Sequence, residues 1–242
     1  MRCRRSIFYW PWKLFSVLVC LVFRLRVNVT GQENIRQGYE KRHLFICNHQ
    51  SALDIPILVS VFTIPFLTKQ QNLWIPFLGL AGLMAGSVTV DRSSNCDRLK
   101  AIKKVLDRIE NITSLYVFPE GTRSRTGQPQ KQIFQAVLRA AWRRRINVVP
   151  LGLHGSHLVI GHQPQTHSGY PVHIHIGKVV DTSNFPDDKV FAEHCWQQVL
   201  ELHSKAKADL EAEVAASKLK YCELSAKIPE SLREDNKQPF PE

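Results

Sequence analysis

Residues 44–47, Leu-Phe-Ile-Cys, are an unbroken apolar run, and the seven residues after it are Asn48-His49-Gln50-Ser51-Ala52-Leu53-Asp54. A short run of this kind reads as a strand buried on both faces, so His49 sits where a strand ends. In α/β proteins the carboxyl ends of strands are where substrates are received, and a residue there is held by the sheet yet stays reachable. An imidazole and a carboxylate five positions apart at such a place have two readings. Either they cap the following helix and nothing more, or His49 is a general base. In the second reading Asp54 fixes the tautomer and supports the imidazolium that forms when His49 takes a proton from a hydroxyl. That hydroxyl can belong to a substrate, so no Ser or Cys nucleophile is required. Cys47 falls inside the apolar run and reads as core.

Three more apolar runs end in functional side chains. Ser87-Val88-Thr89-Val90 leads into Asp91-Arg92, and Leu115-Tyr116-Val117-Phe118 leads into Pro119-Glu120-Gly121-Thr122-Arg123-Ser124. Ile146-Asn147-Val148-Val149-Pro150-Leu151 is the fourth, and its Pro suggests a strand end. Pro119 and Gly121 around Glu120 make a sharp turn, Gly121 allows close backbone approach, and Arg123 offers a planar fork suited to a phosphate. Glu120 either accepts from a substrate hydroxyl or holds Arg123 in place. Lys69 is a lone cation just before the stretch 73–86, which reads equally as the lining of an alkyl-chain pocket or as packed core.

Helical segments lie between these runs. Pro56 is compatible with the early part of a helix after the His49 motif. Residues 97–111 place Leu99, Ile102, Val105, Leu106 and Ile109 at helical spacing with Lys and Arg opposite, residues 133–145 end in three arginines, and residues 190–216 carry Phe191, Cys195, Val199 and Leu202 on one face. The tail beyond Ile228 is rich in Pro and charge and reads as disordered.

The amino-terminal segment narrows the setting. Arg2, Arg4 and Arg5, then Phe8, Tyr9, Trp10 and Trp12, precede the apolar stretch 14–23, which Arg24 and Arg26 close. That stretch is too short to span a bilayer, and its basic and aromatic flanks suit a helix lying in the cytoplasmic interface. Counting from Ile7, a single tilted span becomes just possible. Arg24-Leu25-Arg26 stands where a signal peptide would have small residues, so the segment reads as an uncleaved attachment. With 32 Lys plus Arg against 21 Asp plus Glu, the formal net charge of +11 favours an anionic partner such as a phosphate ester or a membrane surface. The aromatics gather in the amino-terminal segment and the apolar runs instead of interleaving with basic residues, which argues against nucleic acid. Six scattered cysteines without a C-x2-C pair fit reduced thiols. His154, His157, His162, His167, His173 and His175 invite a metal, but their spacing lacks a ligand pattern, so neither metal nor cofactor is expected.

Taken in order, the four motifs form one constellation. Asn48 to Asp54, Asp91-Arg92, Phe118 to Ser124 and Val149-Pro150-Leu151 resemble the four-block signature of the glycerolipid acyltransferases related to 1-acylglycerol-3-phosphate acyltransferase. Lys69 and the run Trp74-Ile75-Pro76-Phe77-Leu78-Gly79 resemble, less sharply, that family's segment between its first two blocks. The resemblance implies acyl transfer from acyl-CoA or acyl-acyl carrier protein to the glycerol hydroxyl of lysophosphatidic acid, carried out at a membrane surface. It makes His49 the general base and Asp54 its orienter. It matches Lys69, Arg92, Glu120, Gly121, Thr122 and Arg123 to positions that hold the acceptor, and Pro150 to a block that shapes the donor site. Where that family commonly shows Phe-Lys-x-Gly, this chain has Gln130-Lys131-Gln132-Ile133, which leaves another lysophospholipid or a lyso-aminolipid as alternative acceptors. The fold class expected is α/β, a single domain with a mixed, largely parallel sheet flanked by helices. A membrane-associated helical segment (1–30) precedes the acyltransferase domain (31–225), and a tail (226–242) follows. The short architecture and basic flanks suggest the cytoplasmic face of a bacterial inner membrane, with a microsomal setting as the alternative. A non-catalytic basic binding protein is the reading from a different class.

Overall fold

A computed structural model describes residues 3–36, 42–69, 87–90, 95–124, 126–160 and 169–226. Asp91 and Arg92, the apolar stretch 73–86, His162, His167 and the tail from 227 lie outside the described residues. In chain order the elements are α1 (Cys3–Val22), β1 (Arg26–Thr30), α2 (Glu33–Arg36), β2 (Leu44–Cys47), α3 (Asp54–Val61), β3 (Leu67–Lys69), β4 (Val88–Val90), α4 (Asn95–Asn111), β5 (Leu115–Val117), α5 (Ala136–Arg143), β6 (Val148–His154), α6 (Ser156–Val159), β7 (Pro171–Ile176) and α7 (Asp188–Ala226).

Five strands form one sheet in the order β1-β7-β6-β2-β5. Every neighbouring pair is parallel except β6 with β7. β3 and β4 make a second, parallel pair, and a parallel bridge between Phe66 and Tyr116 joins it to the flank of β5. The fold is therefore the α/β arrangement with a mixed, largely parallel sheet that the sequence suggests.

β2 lies between β5 and β6 and is buried along its whole length. Leu44 and Ile46 join Val105 and Leu106 of α4, Leu138 of α5 and Val199 of α7 in one core. Phe45 and Cys47 join Trp12 of α1 and Ile57 and Leu58 of α3 in the other. Both faces are covered, which is why its four residues are apolar without alternation. Each fully buried aliphatic side chain contributes on the order of 2 kcal/mol.

Pro150 does not end its strand. β6 runs on to His154, because the carbonyl edge of Pro150, which accepts from Gly177 N, faces the point where β7 has just ended at Ile176. A missing N–H on that side costs no ladder bond. Further along β6, a Cβ on Gly152 would stand 2.1 Å from the backbone N of His203. Only glycine lets α7 settle this closely on the sheet.

α1 is continuous through Pro11. Trp12, Ser16 and Cys20, four residues apart, are buried, and the helix packs on α3. Trp10, Leu14, Leu18, Leu21 and Val22 face outward. Among the described residues no helix is long and apolar enough to cross a membrane. Arg24 adopts φ 50 while Leu25 N bonds back to Cys20 O at 2.8 Å, so the chain turns sharply out of the helix and into β1.

Candidate active site

The site is assembled at the carboxyl ends of β2, β5 and β6. Asn48 stitches two of them together: its Nδ2 donates to Leu153 O and its Oδ1 accepts from Leu153 N, each at 2.8 Å. The next residue, His49, is held through its backbone and one ring face by the segment that follows β5. Its N–H donates to Glu120 Oε1 at 2.9 Å, its carbonyl accepts from Ser124 N at 2.8 Å, and its ring stacks on Phe118 with centroids 4.1 Å apart. The motif Phe118 to Ser124 thus forms a bracket around His49.

His49 Nδ1 lies 2.7 Å from Asp54 Oδ2. The His49 side chain is 15% exposed and that of Asp54 0%. An ionised carboxylate can only accept, so the proton sits on Nδ1 and the lone pair on Nε2. Oδ2 also accepts from Gln50 N at 2.7 Å and Ser51 N at 2.9 Å, while Oδ1 accepts from Ser156 Oγ at 2.5 Å. These four donors satisfy both oxygens of a fully buried side chain. Asp54 therefore does more than begin α3, whose N-cap, Leu53, makes no side-chain cap bond. Cys47 is fully buried and its thiol pKa is pushed well up by that burial, which leaves it as core.

Glu120 is 8% exposed. Its other oxygen, Oε2, accepts from Gln130 N at 3.4 Å, and burial lifts its pKa to about 7 against the opposing pull of these two N–H donors. It does not pair with Arg123, which is exposed and lines a cleft of about 430 Å³ with Thr122, Ser124, Thr126 and Gln128. Gly121, at φ 70, closes the turn by donating to Phe118 O at 3.0 Å. A second cavity, of about 300 Å³ and mostly apolar, is lined by Glu120 and Thr122 of the same turn, by Arg98, and by Leu67, Val117 and Phe134. Polar and apolar spaces thus flank the same loop.

Two of the remaining candidates, Lys69 and Pro150, are placed by their strands. Lys69 ends β3 opposite Val90. Pro150 is set back in the sheet beside Ile46, three residues before His49 in register, and is not brought to the dyad. Arg92 lies outside the described residues.

Four polar residues behind the dyad were not singled out for it by sequence. Gln50 Nε2 donates to Gly127 O and stands 3.2 Å from His154 Nδ1 and 3.1 Å from His203 Nε2. Its Oε1 takes His157 Nδ1 at 3.2 Å, and the rings of His154 and His203 meet at 3.0 Å. Burial, helped by the neighbouring His203 and His157, lowers the pKa of His154 to about 3, and burial lowers that of His203 to about 4. Among the described residues no group of three or more His, Cys, Asp or Glu could hold a metal ion.

A family model described as Acyltransferase matches residues 26–154, the stretch from the first residue of β1 to the last of β6. The chain belongs to the acyltransferase family. Within that family it is similar to the 1-acyl-sn-glycerol-3-phosphate acyltransferase of Saccharomyces cerevisiae, 30% identical over 78% of this chain and 63% of that protein. Those of Cocos nucifera (29% identical, 62% of this chain and 49% of that protein) and Borreliella burgdorferi (28%, 65% and 62%) also match. The chain spans less than two thirds of each of these relatives. The crystal structure of the 1-acyl-sn-glycerophosphate acyltransferase PlsC from Thermotoga maritima has the same fold, with a TM-score of 0.75, 24% identity and coverage of 86% of this chain and 84% of that one. In this chain, His203 and α7 lie beyond the matched stretch yet close the site from behind.

Proposed function

We propose that this chain moves a fatty acyl group from a thioester donor, acyl-CoA or acyl-acyl carrier protein, to the free sn-2 hydroxyl of 1-acylglycerol-3-phosphate, giving phosphatidic acid. The observation that carries the reading is the His49 Nδ1 to Asp54 Oδ2 bond of 2.7 Å at the end of β2, beside a loop that presents Arg123 to a polar cleft. Nε2 removes the hydroxyl proton as the oxygen attacks the thioester carbonyl. The tetrahedral intermediate collapses to the ester and a thiolate, and the imidazolium returns its proton to the thiolate. Such proton transfer contributes on the order of 10²–10⁴ in rate, and the rest comes from holding two substrates in line. Arg123, with Thr122 and Gly121 in the same turn and with Lys69 and Arg92, holds the acceptor's glycerol phosphate, and Pro150 acts from within the sheet on the donor side. The outward face of α1, Trp10, Leu14, Leu18, Leu21 and Val22, rests in the cytoplasmic surface of a membrane, from which both acyl chains are drawn.

A second reading keeps the chemistry and changes the acceptor to another lysophospholipid or a lyso-aminolipid. It is favoured by Gln130-Lys131-Gln132-Ile133, which sits in the loop that Glu120 holds through Gln130 N.

The test uses membranes containing wild type, His49→Ala and Arg123→Ala, supplied with each donor and a panel of lysolipids, with thiol release and lipid product followed together. Product from lysophosphatidate that vanishes in His49→Ala, with a roughly tenfold rise in acceptor KM in Arg123→Ala, is the expected result. Full activity in His49→Ala, or no product from a folded wild type with any pair, overturns it.

A further inference from the structure

The dyad does not explain why Asp54 keeps one orientation. Its Oδ2 already serves three donors, the imidazole and two backbone N–H groups. Among the described residues, the donor recorded to Oδ1 is the hydroxyl of Ser156, at 2.5 Å. Both side chains are fully buried, so bulk water does not take the hydroxyl's place. Without it, a charged oxygen is left unsatisfied in the interior, and the carboxylate gains by turning toward another donor and away from Nδ1.

The backbone is shaped to deliver that hydroxyl. β6 pairs in parallel with β2, so the two carboxyl ends emerge together, and Asn48 locks them in register through Leu153. Gly155 then turns the chain at φ 108, and a Cβ there would lie 2.5 Å from Pro171 O and 2.7 Å from Leu210 Cδ1. A glycine in this conformation, pressed between β7 and α7, leaves Ser156 little freedom of position.

We propose that Ser156 is a positioning residue, the third member of a His49–Asp54–Ser156 chain, which sets Asp54 so that Oδ2 meets Nδ1 and Nε2 points to the acceptor hydroxyl. This rests on the reading of His49 as the base. Ser156 touches no substrate, so its loss acts on kcat and leaves KM for donor and acceptor alone.

The experiment compares wild type, Ser156→Ala, Ser156→Cys and Ser156→Thr, with two readouts. The first is steady-state kinetics in membranes. The second is the downfield proton resonance of His49 Nδ1–H in detergent-solubilised protein, assigned by its absence from His49→Ala. Ser156→Ala is expected to lower kcat roughly 10- to 100-fold with both KM values within twofold, and to move or broaden the resonance. Ser156→Thr restores both, and Ser156→Cys, a weak donor of nearly the same size, falls between. A Ser156→Ala protein with wild-type kcat and an unmoved resonance overturns the proposal, as does a loss of kcat that only tracks the folded fraction. If wild type transfers no acyl group, the acyltransferase reading fails while the resonance in the folded variants still decides the role of Ser156.

Discussion

Glu120 Oε1 accepts the main-chain N–H of His49 at 2.9 Å, so the carboxylate of one motif positions the imidazole of another. The contact runs from side chain to backbone, which makes it indifferent to the protonation of the imidazole. It also occupies Glu120: with Oε2 on Gln130 N, both oxygens face inward and hold the loop that carries Arg123.

Because burial raises the Glu120 pKa to about 7, the folded state binds a proton between about pH 4.5 and 7 that the unfolded chain has released. The stability contributed by this residue is therefore complete below the unfolded value and is lost as pH rises through 7. Glu120→Gln, which cannot ionise, is expected to remove that loss. Denaturant titrations at pH 5 and pH 8 should show wild type losing roughly 2 kcal/mol more than the variant across the interval. Equal changes in the two proteins would argue against a neutral Glu120.

His154 and His203 act in the opposite direction. Their folded pKa values of about 3 and about 4 lie below the ordinary 6.5, so the unfolded chain binds protons first as pH falls. Stability is full above 6.5 and declines as pH falls, down to about pH 4 for His203 and about pH 3 for His154. Replacing His203 with Gln, which keeps a polar partner for Gln50 and does not titrate, is expected to flatten this acid limb by about 2 kcal/mol between pH 7 and pH 4, as read by chemical denaturation. An unchanged limb would place the acid sensitivity elsewhere.

Asp54→Asn exchanges an oxygen that accepts three hydrogen bonds for a group that cannot accept them all. The expected outcome is a kcat lowered about 10³- to 10⁴-fold with acceptor KM little changed, since the wrong imidazole tautomer is favoured. Backbone N–H groups of Gln50 and Ser51 also lose their acceptor, so a fall in Tm should accompany it. A variant with unaltered kcat would reduce Asp54 to a turn-forming residue.

The proposed seating of the outward face of α1 in a membrane surface can be tested directly. Leu14 and Leu18, 40% and 50% exposed, lie one turn apart and away from the packed residues Trp12, Ser16 and Cys20. Replacing both with Asp should release the protein from anionic phospholipid vesicles in flotation, while turnover of a dispersed short-chain acceptor stays within about threefold. Retention on the vesicles would move the attachment to another surface.

Several features could be read directly from residue order. β2 and β5 are apolar without interruption because both faces are covered, and His49 follows β2 directly. Helix α4 was visible in its spacing. β1 was not: Arg26-Val27-Asn28-Val29-Thr30 holds two apolar residues, reads as the basic flank of α1, and is an edge strand whose partner, β7, is 145 residues away. The polar shell was hidden for the same reason. Ser156 reads as an ordinary residue after a glycine, and His203 as one polar position of an amphipathic helix. Their partners, Asp54 and Gln50, lie 102 and 153 residues distant. The motif Phe118 to Ser124 was legible as a turn, but its grip on His49 was not, because two of its three contacts use main-chain atoms that any sequence supplies.

Gly152 has a consequence for anyone dissecting the protein. The seat it provides brings α7 against β6, and with it His203 against Gln50. Residues 26–154 carry His49, Asp54, Glu120 and Arg123, yet a fragment cut to those bounds ends before Ser156 and lacks the helix that roofs His154. Transplanting that fragment into another scaffold would carry over these four residues and leave behind the wall they lean on. A minimal unit for engineering must run at least through Leu210.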